Sequence, residues 1–350
     1  MARAFRWMAA FAVSGAMLLF AGHGYTQPAP EKKSEKAEPA KKKPAKKKKA
    51  ETSGDDPAAT DNKENKEKAA ARTTPKGVCL TPDQFYDRDG DVQRNAKRLA
   101  SPDLCLRLEV FTEGNLRWVL QIVENRKNPK GPLWAIPHDN ENAAFDSGVY
   151  GVLRYGGTMV AVETGGKRFN ATQDPNRNFD ADTGEKCPQQ NAASPEYTKR
   201  FLRLWDRSQP IMALHSNERG YEGDQKGGKG HISMQKPPRS AMPFRAVHPM
   251  AAQSPDDTLI FVASIRRPDA NPDLAAFVKA LNERGINVLY EMVSPKNDCS
   301  MSNYAALKGI SNYINIEVLH GDRDSQIRIL DIVMELKGIH GIGGPHKRDE

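Results

Sequence analysis

LWAIPHDNE, at residues 133–141, joins a short apolar run to polar residues that follow it at once. The run Leu133–Ile136 has the length and the bulky apolar composition of a buried strand. Further strand-like runs follow along the chain, and helix-like segments lie between them. These runs are Met159–Glu163, Pro210–Leu214, Thr258–Ala263, Asn287–Val293 and Tyr313–Leu319.

The intervening segments carry helix signals. Asn142–Tyr155 and Asp324–Leu336 have helix-like patterns, and Ser194–Ser208 opens with Ser-Pro-Glu, an N-cap followed by proline. The segment Asn271–Arg284 is followed by Gly285, and glycine is suited to the position after a helix. Strands that alternate with helices predict an α/β fold with a mixed, largely parallel central sheet and helices on both faces. Functional groups of such sheets gather at the carboxyl ends of the strands.

The amino terminus has the order of a secretory signal peptide. Arg3 and Arg6 precede the apolar stretch Met8–Gly22, and small residues follow. We therefore expect export to the periplasm or the medium. Residues 1–24 are either a cleaved signal peptide or an anchor in the inner membrane, since the apolar stretch is slightly short for a span.

Residues 25–76 predict a disordered linker, because they hold Lys, Ala, Pro and Glu with almost no large apolar side chain. Together with Arg3 and Arg6, this stretch carries the whole formal net charge of +8. Residues 77–350 are thus neutral overall, and no specific nucleic-acid binding is expected. The run Lys41–Lys49 could hold the chain to an anionic envelope surface, or serve only as a solvated spacer.

Residues 77–350 are enough for one substantial α/β domain or two small ones, and we favour a single domain. Its four cysteines lack C-x-x-C spacing, so an exported chain favours disulfides over a thiolate metal site. We favour the pairs Cys79–Cys105 and Cys187–Cys299, although sequence alone leaves the connectivity open.

The front of this domain is harder to interpret. Residues 77–130 could form an accessory element or the first strands of the sheet. Asp87, Asp89 and Asp91 resemble the start of a calcium loop, but its later glycine and glutamate are missing. We interpret them as a surface turn.

His138 and Glu141 follow the strand Leu133–Ile136, where a histidine and a carboxylate three residues apart can converge on one cation. A catalytic zinc ion needs a third protein ligand and an open position for water. The run Pro210–Leu214 leads directly into His215, which stands where a third ligand is needed. The H-x-x-E pattern alone is common, so the residues between the two histidines decide its meaning.

Those residues include KRFNATQDPNRNFD at 167–180. The order R-x-N, then D-x-N-R-N-F, between H-x-x-E and a later H-S resembles the zinc carboxypeptidase family, with its related aspartoacylase and succinylglutamate desuccinylase-like hydrolases. The strand YINIEV at Tyr313–Val318 is similar to the late strand that carries the family's catalytic glutamate. The resemblance covers Leu133–Leu319 and implies a zinc carboxypeptidase-like fold.

The resemblance also implies roles for single residues. One zinc ion would be held by His138, Glu141 and His215. Asp174 would accept a hydrogen bond from His138 and so fix its tautomer. Glu317 would be the general base that deprotonates a water molecule.

Further roles concern the substrate. Arg168 would polarise the scissile carbonyl and stabilise the oxyanion. Asn176 and Arg177 would bind the terminal carboxylate of the substrate. Tyr290 and Tyr304 both precede the glutamate, and Tyr290 is favoured as the substrate-binding tyrosine, since it lies on a strand-like segment.

The implied activity is that of a zinc metallopeptidase that removes the C-terminal residue from a peptide with a free carboxylate. Export makes cell-wall (peptidoglycan) peptides a natural substrate. Two alternatives stay open. One is an N-acyl amino acid deacylase of the aspartoacylase type, and the other is a non-catalytic envelope protein that binds peptides.

Overall fold

A computed structural model describes residues 72–184, 187, 194–217, 232–296 and 298–342. The expected signal or anchor at residues 1–24 and the run Lys41–Lys49 lie outside these residues. The same holds for most of the expected linker and for Gly220–Lys229, a Gly- and Lys-rich stretch for which the sequence predicts a mobile loop. No helix in the described ranges is long and apolar enough to cross a membrane.

The described ranges contain nine β-strands, seven α-helices and two short 3-10 turns. The strands are β1 (Leu104–Glu113), β2 (Leu116–Asn125), β3 (Leu133–Ile136), β4 (Thr158–Val162), β5 (Ile211–Asn217), β6 (Ala241–Phe244), β7 (Leu259–Ser264), β8 (Asn287–Met292) and β9 (Tyr313–Leu319). The helices are α1 (Asp91–Arg94), α2 (Ala96–Leu99), α3 (Asn142–Tyr155), α4 (Pro195–Leu202), α5 (Pro272–Glu283), α6 (Met301–Leu307) and α7 (Arg323–Leu336). The 3-10 turns are Pro175–Arg177 and Pro268–Ala270.

The nine strands form one sheet in the order β1-β2-β4-β3-β5-β9-β7-β8-β6. Strands β4, β3, β5 and β9 are parallel to one another in its centre, and β7 is parallel to β8. The remaining neighbours, β1–β2, β2–β4, β7–β9 and β6–β8, are antiparallel. The predicted mixed α/β sheet is therefore confirmed, with its parallel part in the centre.

Side chains of the central strands alternate between two packed faces of the sheet. Trp134, Met212 and Ile316 point to the face that we call the first face, where they pack with α3, α5 and α7. Ala135 and Ala213 point to the opposite, second face, which α4 and α6 cover. Helices on both faces are thus confirmed, and each strand residue belongs to one face by its position.

The hairpin of β1 and β2 shows that residues 77–130 contain the edge strands of the sheet, one of the two readings that the sequence left open. Charged residues interrupt the apolar pattern of this hairpin, so the sequence pattern does not predict its two strands. Arg107 on β1 forms an ion pair with Glu124 on β2. Glu109 on β1 pairs with Arg200 and Arg203, which come from the region of α4.

The N-terminal boundary of the domain lies before residue 77. The backbone N–H of Thr74 donates to the Leu108 carbonyl at 2.9 Å, and the Thr73 hydroxyl bonds both backbone groups of Val110. These two threonines therefore lie beside β1 and form hydrogen bonds with its outer side. The expected linker over residues 25–76 is therefore too long at its end.

Both predicted disulfides, Cys79–Cys105 and Cys187–Cys299, are confirmed. The first joins the segment before the hairpin to β1. The second holds the start of the α6 region near Phe179, whose N–H donates to the Cys299 carbonyl at 3.0 Å. This second disulfide therefore helps to fix the loop that carries the D-x-N-R-N-F motif.

Candidate metal centre

Histidine and glutamate side chains meet at the carboxyl ends of β3, β5 and β9. His215 on β5 is the direct register partner of Glu317 on β9. Both point to the second face, since each alternates with first-face residues of its own strand. His138 and Glu141 lie between β3 and α3, and Glu141 is the residue just before that helix. Neighbouring parallel strands thus bring residues that are distant in sequence together at the carboxyl end of the sheet.

The three predicted ligands converge on one point. The Nδ1 atom of His138 lies 2.8 Å from Glu141 Oε1 and 3.2 Å from His215 Nδ1. The same His215 Nδ1 lies 3.2 Å from Glu141 Oε2. All three side chains are buried. Two imidazole lone pairs and one carboxylate face each other, an arrangement that a cation satisfies and that zinc takes in catalytic sites.

Asp174 lies where the sequence predicts it, beside His138. Its Oδ1 atom is 2.8 Å from His138 Nε2 and also accepts a hydrogen bond of 2.8 Å from the Asn176 N–H. With the Nε2 proton donated to Asp174, the lone pair of Nδ1 points toward Glu141 and His215. The carboxylate therefore selects the tautomer that a metal ligand needs.

The charges of these groups depend on one another. Burial acts to raise the pKa of Glu141, but the imidazoles of His138 and His215 outweigh it and hold the pKa well below its usual range. For Asp174, His138 and Arg168 overcome burial in the same way and lower its pKa. Burial and Arg168 act to lower the pKa of His138, yet the two carboxylates raise it overall. Both carboxylates are thus ionised at neutral pH.

Glu317 is a buried carboxyl, 4% exposed, that faces this group. Its Oε1 atom accepts a hydrogen bond of 3.0 Å from the Asn315 side-chain amide. Burial raises the pKa of Glu317 to about 7, and His215 offsets only part of that shift. A carboxyl with such a pKa can both accept and return a proton near neutrality. Asn315 was missed by the sequence analysis, although it lies two residues before Glu317 on the same face.

Arg168 lies at the open side of the same group. Its guanidinium is 3.3 Å from Glu141 Oε1 and 3.2 Å from Asp174 Oδ2. The side chain is 22% exposed, so it is held by two carboxylates and still reaches solvent. It can therefore place a fixed positive charge near a bound substrate.

Asn176 and Arg177 belong to the 3-10 turn that follows Asp174. Arg177 donates to the Asn176 carbonyl at 2.9 Å and lies 3.5 Å from Asp298 Oδ2. Its Nε atom is buried and has no hydrogen-bond partner in the described part of the chain. The Asn176 side chain accepts a hydrogen bond of 3.0 Å from the Met301 N–H, which joins this turn to α6. The Arg177 guanidinium thus keeps one N–H group without a partner in this part of the structure.

Tyr290 does not reach this site, so its predicted role in substrate binding is wrong. The side chain is fully buried in the core of the first face. Its hydroxyl donates to the Arg266 carbonyl at 2.7 Å. Strand β8 turns residue 290 away from the site, and its neighbour Glu291 points to the second face instead. Tyr304 is no substitute, since its ring packs against Phe179 within the second-face core.

Tyr313 is the first residue of β9, the strand that carries Glu317. It shares the second face with Asn315 and Glu317, because the three alternate along β9. Burial raises the pKa of its phenol well above 10, and the nearby Glu317 and Glu291 raise it further. Because side chains alternate along β9, the position of Glu317 predicts the face of the sheet on which Tyr313 lies.

The turn of Asp87, Asp89 and Asp91 is not a simple surface turn, which corrects the sequence interpretation. Carboxylate oxygens of Asp89 and Asp91 lie within 4.8 Å of Asp139, and those of Asp87 and Asp89 lie equally near Glu163. Asp91 is buried and pairs with Arg94 on the next turn. Burial, followed by the charge of Asp139, raises the pKa of both Asp89 and Glu163 to about 8.

Comparison with known proteins gives similarity only at the level of structure. No family model matches the chain, and no curated protein is similar in sequence. A protein from Shewanella denitrificans, proposed to be a metallopeptidase, matches with a TM-score of 0.36 and 12% identity over 78% of this chain and 97% of its own. A succinylglutamate desuccinylase from Silicibacter sp. matches with a TM-score of 0.38 and 10% identity over 70% and 69%. An aspartoacylase family protein from Mesorhizobium loti matches with a TM-score of 0.38 and 14% identity over 71% and 70%. Because these TM-scores and sequence identities are low, the conclusions about this chain rest on its own geometry.

Proposed function

We propose that the chain is a zinc-dependent hydrolase of the metallocarboxypeptidase kind, which removes the C-terminal residue from a peptide. The observation that carries the proposal is the convergence of His138, Glu141 and His215 beside the buried carboxyl of Glu317. Metal ligands and a general base lie at the carboxyl ends of neighbouring strands, and two arginines come from the loop after β4. Together they form the set that peptide hydrolysis requires.

His138, Glu141 and His215 would hold the metal ion through two Nδ1 atoms and one carboxylate. A zinc ion bound there supplies a Lewis acid that polarises a carbonyl and acidifies a water molecule. Two neutral imidazoles and one carboxylate leave a net positive charge at the centre, which this chemistry needs. Asp174 keeps the His138 ring in the required tautomer.

Glu317 takes a proton from the attacking water and later passes it to the nitrogen of the leaving amino acid. Burial raises the pKa of Glu317 and so favours uptake of the proton from the water. The Asn315 amide holds one carboxylate oxygen, which leaves the other for the water molecule.

The two arginines divide the remaining work. Arg168 stabilises the negative charge that develops on the carbonyl oxygen, as its contacts with Glu141 and Asp174 hold it beside the ligands. Arg177, with Asn176, binds the terminal carboxylate of the substrate, because a planar guanidinium can form two parallel hydrogen bonds with a carboxylate.

Peptides with free and with amidated C-termini test this function. We expect release of the last residue only from the free series, and at least a hundredfold lower kcat/KM in Arg177→Met. Arg267→Met is the matched control, since that side chain is exposed. Equal cleavage of both series would refute the role of Arg177. Release of an acyl acid from N-acyl amino acids, without peptide cleavage, would identify a deacylase instead. Binding without any turnover would identify a peptide-binding protein.

Cell-wall peptides are the substrate that we propose from the export expected for residues 1–24. The Lys41–Lys49 run would then hold the enzyme near the anionic envelope. Incubation of purified protein with isolated cell-wall peptides, followed by mass spectrometry, tests this proposal. Loss of one C-terminal residue is the expected result, and unchanged peptides beside an active reference substrate would contradict it.

A further inference from the structure

We infer that the site selects a C-terminal residue with a positively charged side chain, and that Glu291 and Asp298 recognise this charge. The inference rests on the proposed function, because Arg177 would bind the carboxylate of the same residue. Neither acidic side chain takes part in the hydrolytic steps described above.

A short set of contacts brings the three charged groups together. Asn303 on α6 donates from its amide to Glu291 Oε2 at 2.9 Å, and its Oδ1 accepts a hydrogen bond of 3.3 Å from the Asp298 N–H. Asp298 Oδ2 in turn lies 3.5 Å from the guanidinium of Arg177. Glu291 and Asp298 are thus joined through one side chain, and Asp298 touches the group that would bind the substrate carboxylate.

The segment that carries Asp298 is fixed against the Arg177 turn. The Cys187–Cys299 disulfide holds the next residue, whose carbonyl accepts a hydrogen bond from the Phe179 N–H. Asn176 bonds the Met301 N–H. The position of Asp298 beside Arg177 is therefore set by the fold on both sides.

This group of charges lies on the same face of the sheet as the catalytic carboxyl, with β7 between the strands that carry Glu291 and Glu317. Glu291 points to the second face, as Glu317 does. Tyr313 lies on the same face, where burial raises the pKa of its phenol and Glu317 and Glu291 raise it further. A residue bound with its carboxylate on Arg177 would therefore extend its side chain toward Glu291, while its peptide bond faces Glu317.

The balance of charge favours a cationic side chain. Arg177 pairs with Asp298 at 3.5 Å and also feels the charge of Glu291 before any substrate arrives, and the substrate carboxylate adds a further negative charge. Burial, and then Asp298, raises the pKa of Glu291 to about 7, and Arg177 offsets only part of this shift. An ammonium group would supply the missing positive charge through charge-assisted hydrogen bonds. An apolar side chain would leave the half-buried carboxyl of Glu291 without it.

Three peptides that differ only in a C-terminal Lys, norleucine or Glu test the inference. We expect kcat/KM to be at least about tenfold higher for Lys than for norleucine, and lowest for Glu. Glu291→Gln should reduce the Lys-to-norleucine ratio at least about fivefold. Asp298→Asn should reduce it less, because its side chain is 44% exposed. The control Asp269→Asn, whose side chain is 74% exposed, should keep the wild-type ratio.

The ratio separates recognition from support of the fold, because a purely structural Glu291 would affect both substrates equally. Norleucine cleaved as well as Lys by the wild type would overturn the inference and leave the proposed function intact. A Lys preference that persists in both variants would overturn the assignment to Glu291 and Asp298. If Glu291→Gln fails to fold, the ratio in Asp298→Asn decides. No cleavage of any peptide by the wild type would overturn the proposed function, and this inference with it.

Discussion

His138 uses both of its ring nitrogens, one toward Asp174 and the other toward Glu141 and His215. The sequence could predict this group, because ligand spacing and the ends of apolar runs are local features. It could not place Tyr290, since the face of a strand residue is decided by the neighbours that cover it.

Asp174→Asn is expected to weaken zinc binding about 10- to 100-fold, because the amide cannot hold the His138 tautomer as the carboxylate does. Competition with a chromophoric chelator measures the affinity. Asp182→Asn is the control, since Asp182 is exposed in the same segment. An unchanged affinity in Asp174→Asn would show that the contact with His138 does not support the metal.

Glu317→Gln is expected to lower kcat by about 10²- to 10⁴-fold, because the amide cannot take a proton from water. Zinc content should stay at the wild-type level, since Glu317 lies beside the ligands and is not one of them. Glu283→Gln, at an exposed position of α5, is the matched control. Undiminished hydrolysis in Glu317→Gln would remove Glu317 from the mechanism.

At the scale of elements, apolar runs marked the central strands well. β3 and β9 have the limits that their sequences predict, and α3 does so as well. Helix α4 ends at Leu202, several residues before the predicted end at Ser208. Local patterns do not predict the β1–β2 hairpin, because they do not explain its buried charges. The arginines that pair with Glu109 lie about 90 residues away in sequence.

The turn of Asp87–Asp91 before α1 gives a prediction about pH. Burial raises the folded pKa of Asp89 from 3.8 to about 8, so the folded chain binds more protons than the unfolded chain between those values. The contribution of Asp89 to stability should therefore fall as pH rises from about 4 to about 8. Asp89→Asn should raise Tm at pH 8 and leave it unchanged near pH 4.

Thermal unfolding at both pH values checks this expectation. Asp269→Asn, which alters an exposed aspartate, should leave Tm unchanged at both pH values. A lower Tm for Asp89→Asn at pH 8 would contradict the account. It would mean that the charge of Asp89 is needed in the folded chain.

At the scale of the whole molecule, alternation of strands and helices predicted a sheet with helices on two faces. It did not predict that β7 lies antiparallel to β9 or that β6 forms an edge, because strand direction is decided by packing across the sheet. The domain start was also misplaced, since Thr73 and Thr74 look like linker residues until β1 is present.

A chain that begins at residue 77 should be less stable than one that begins at residue 72. It lacks the hydrogen bonds of Thr73 and Thr74 with β1, and we expect a loss of about 1–2 kcal/mol in the free energy of unfolding. Denaturant titration of both chains measures the difference. Equal stability would show that the sheet edge does not depend on this segment.

The zinc content of the purified, dialysed protein tests the central claim most directly, with His215→Ala measured beside it. The account predicts one zinc ion per chain in the wild type and almost none in His215→Ala. His320→Ala, at an exposed position after β9, should keep its zinc. A wild type without zinc, or a His215→Ala variant that retains it, would contradict the assignment of the site.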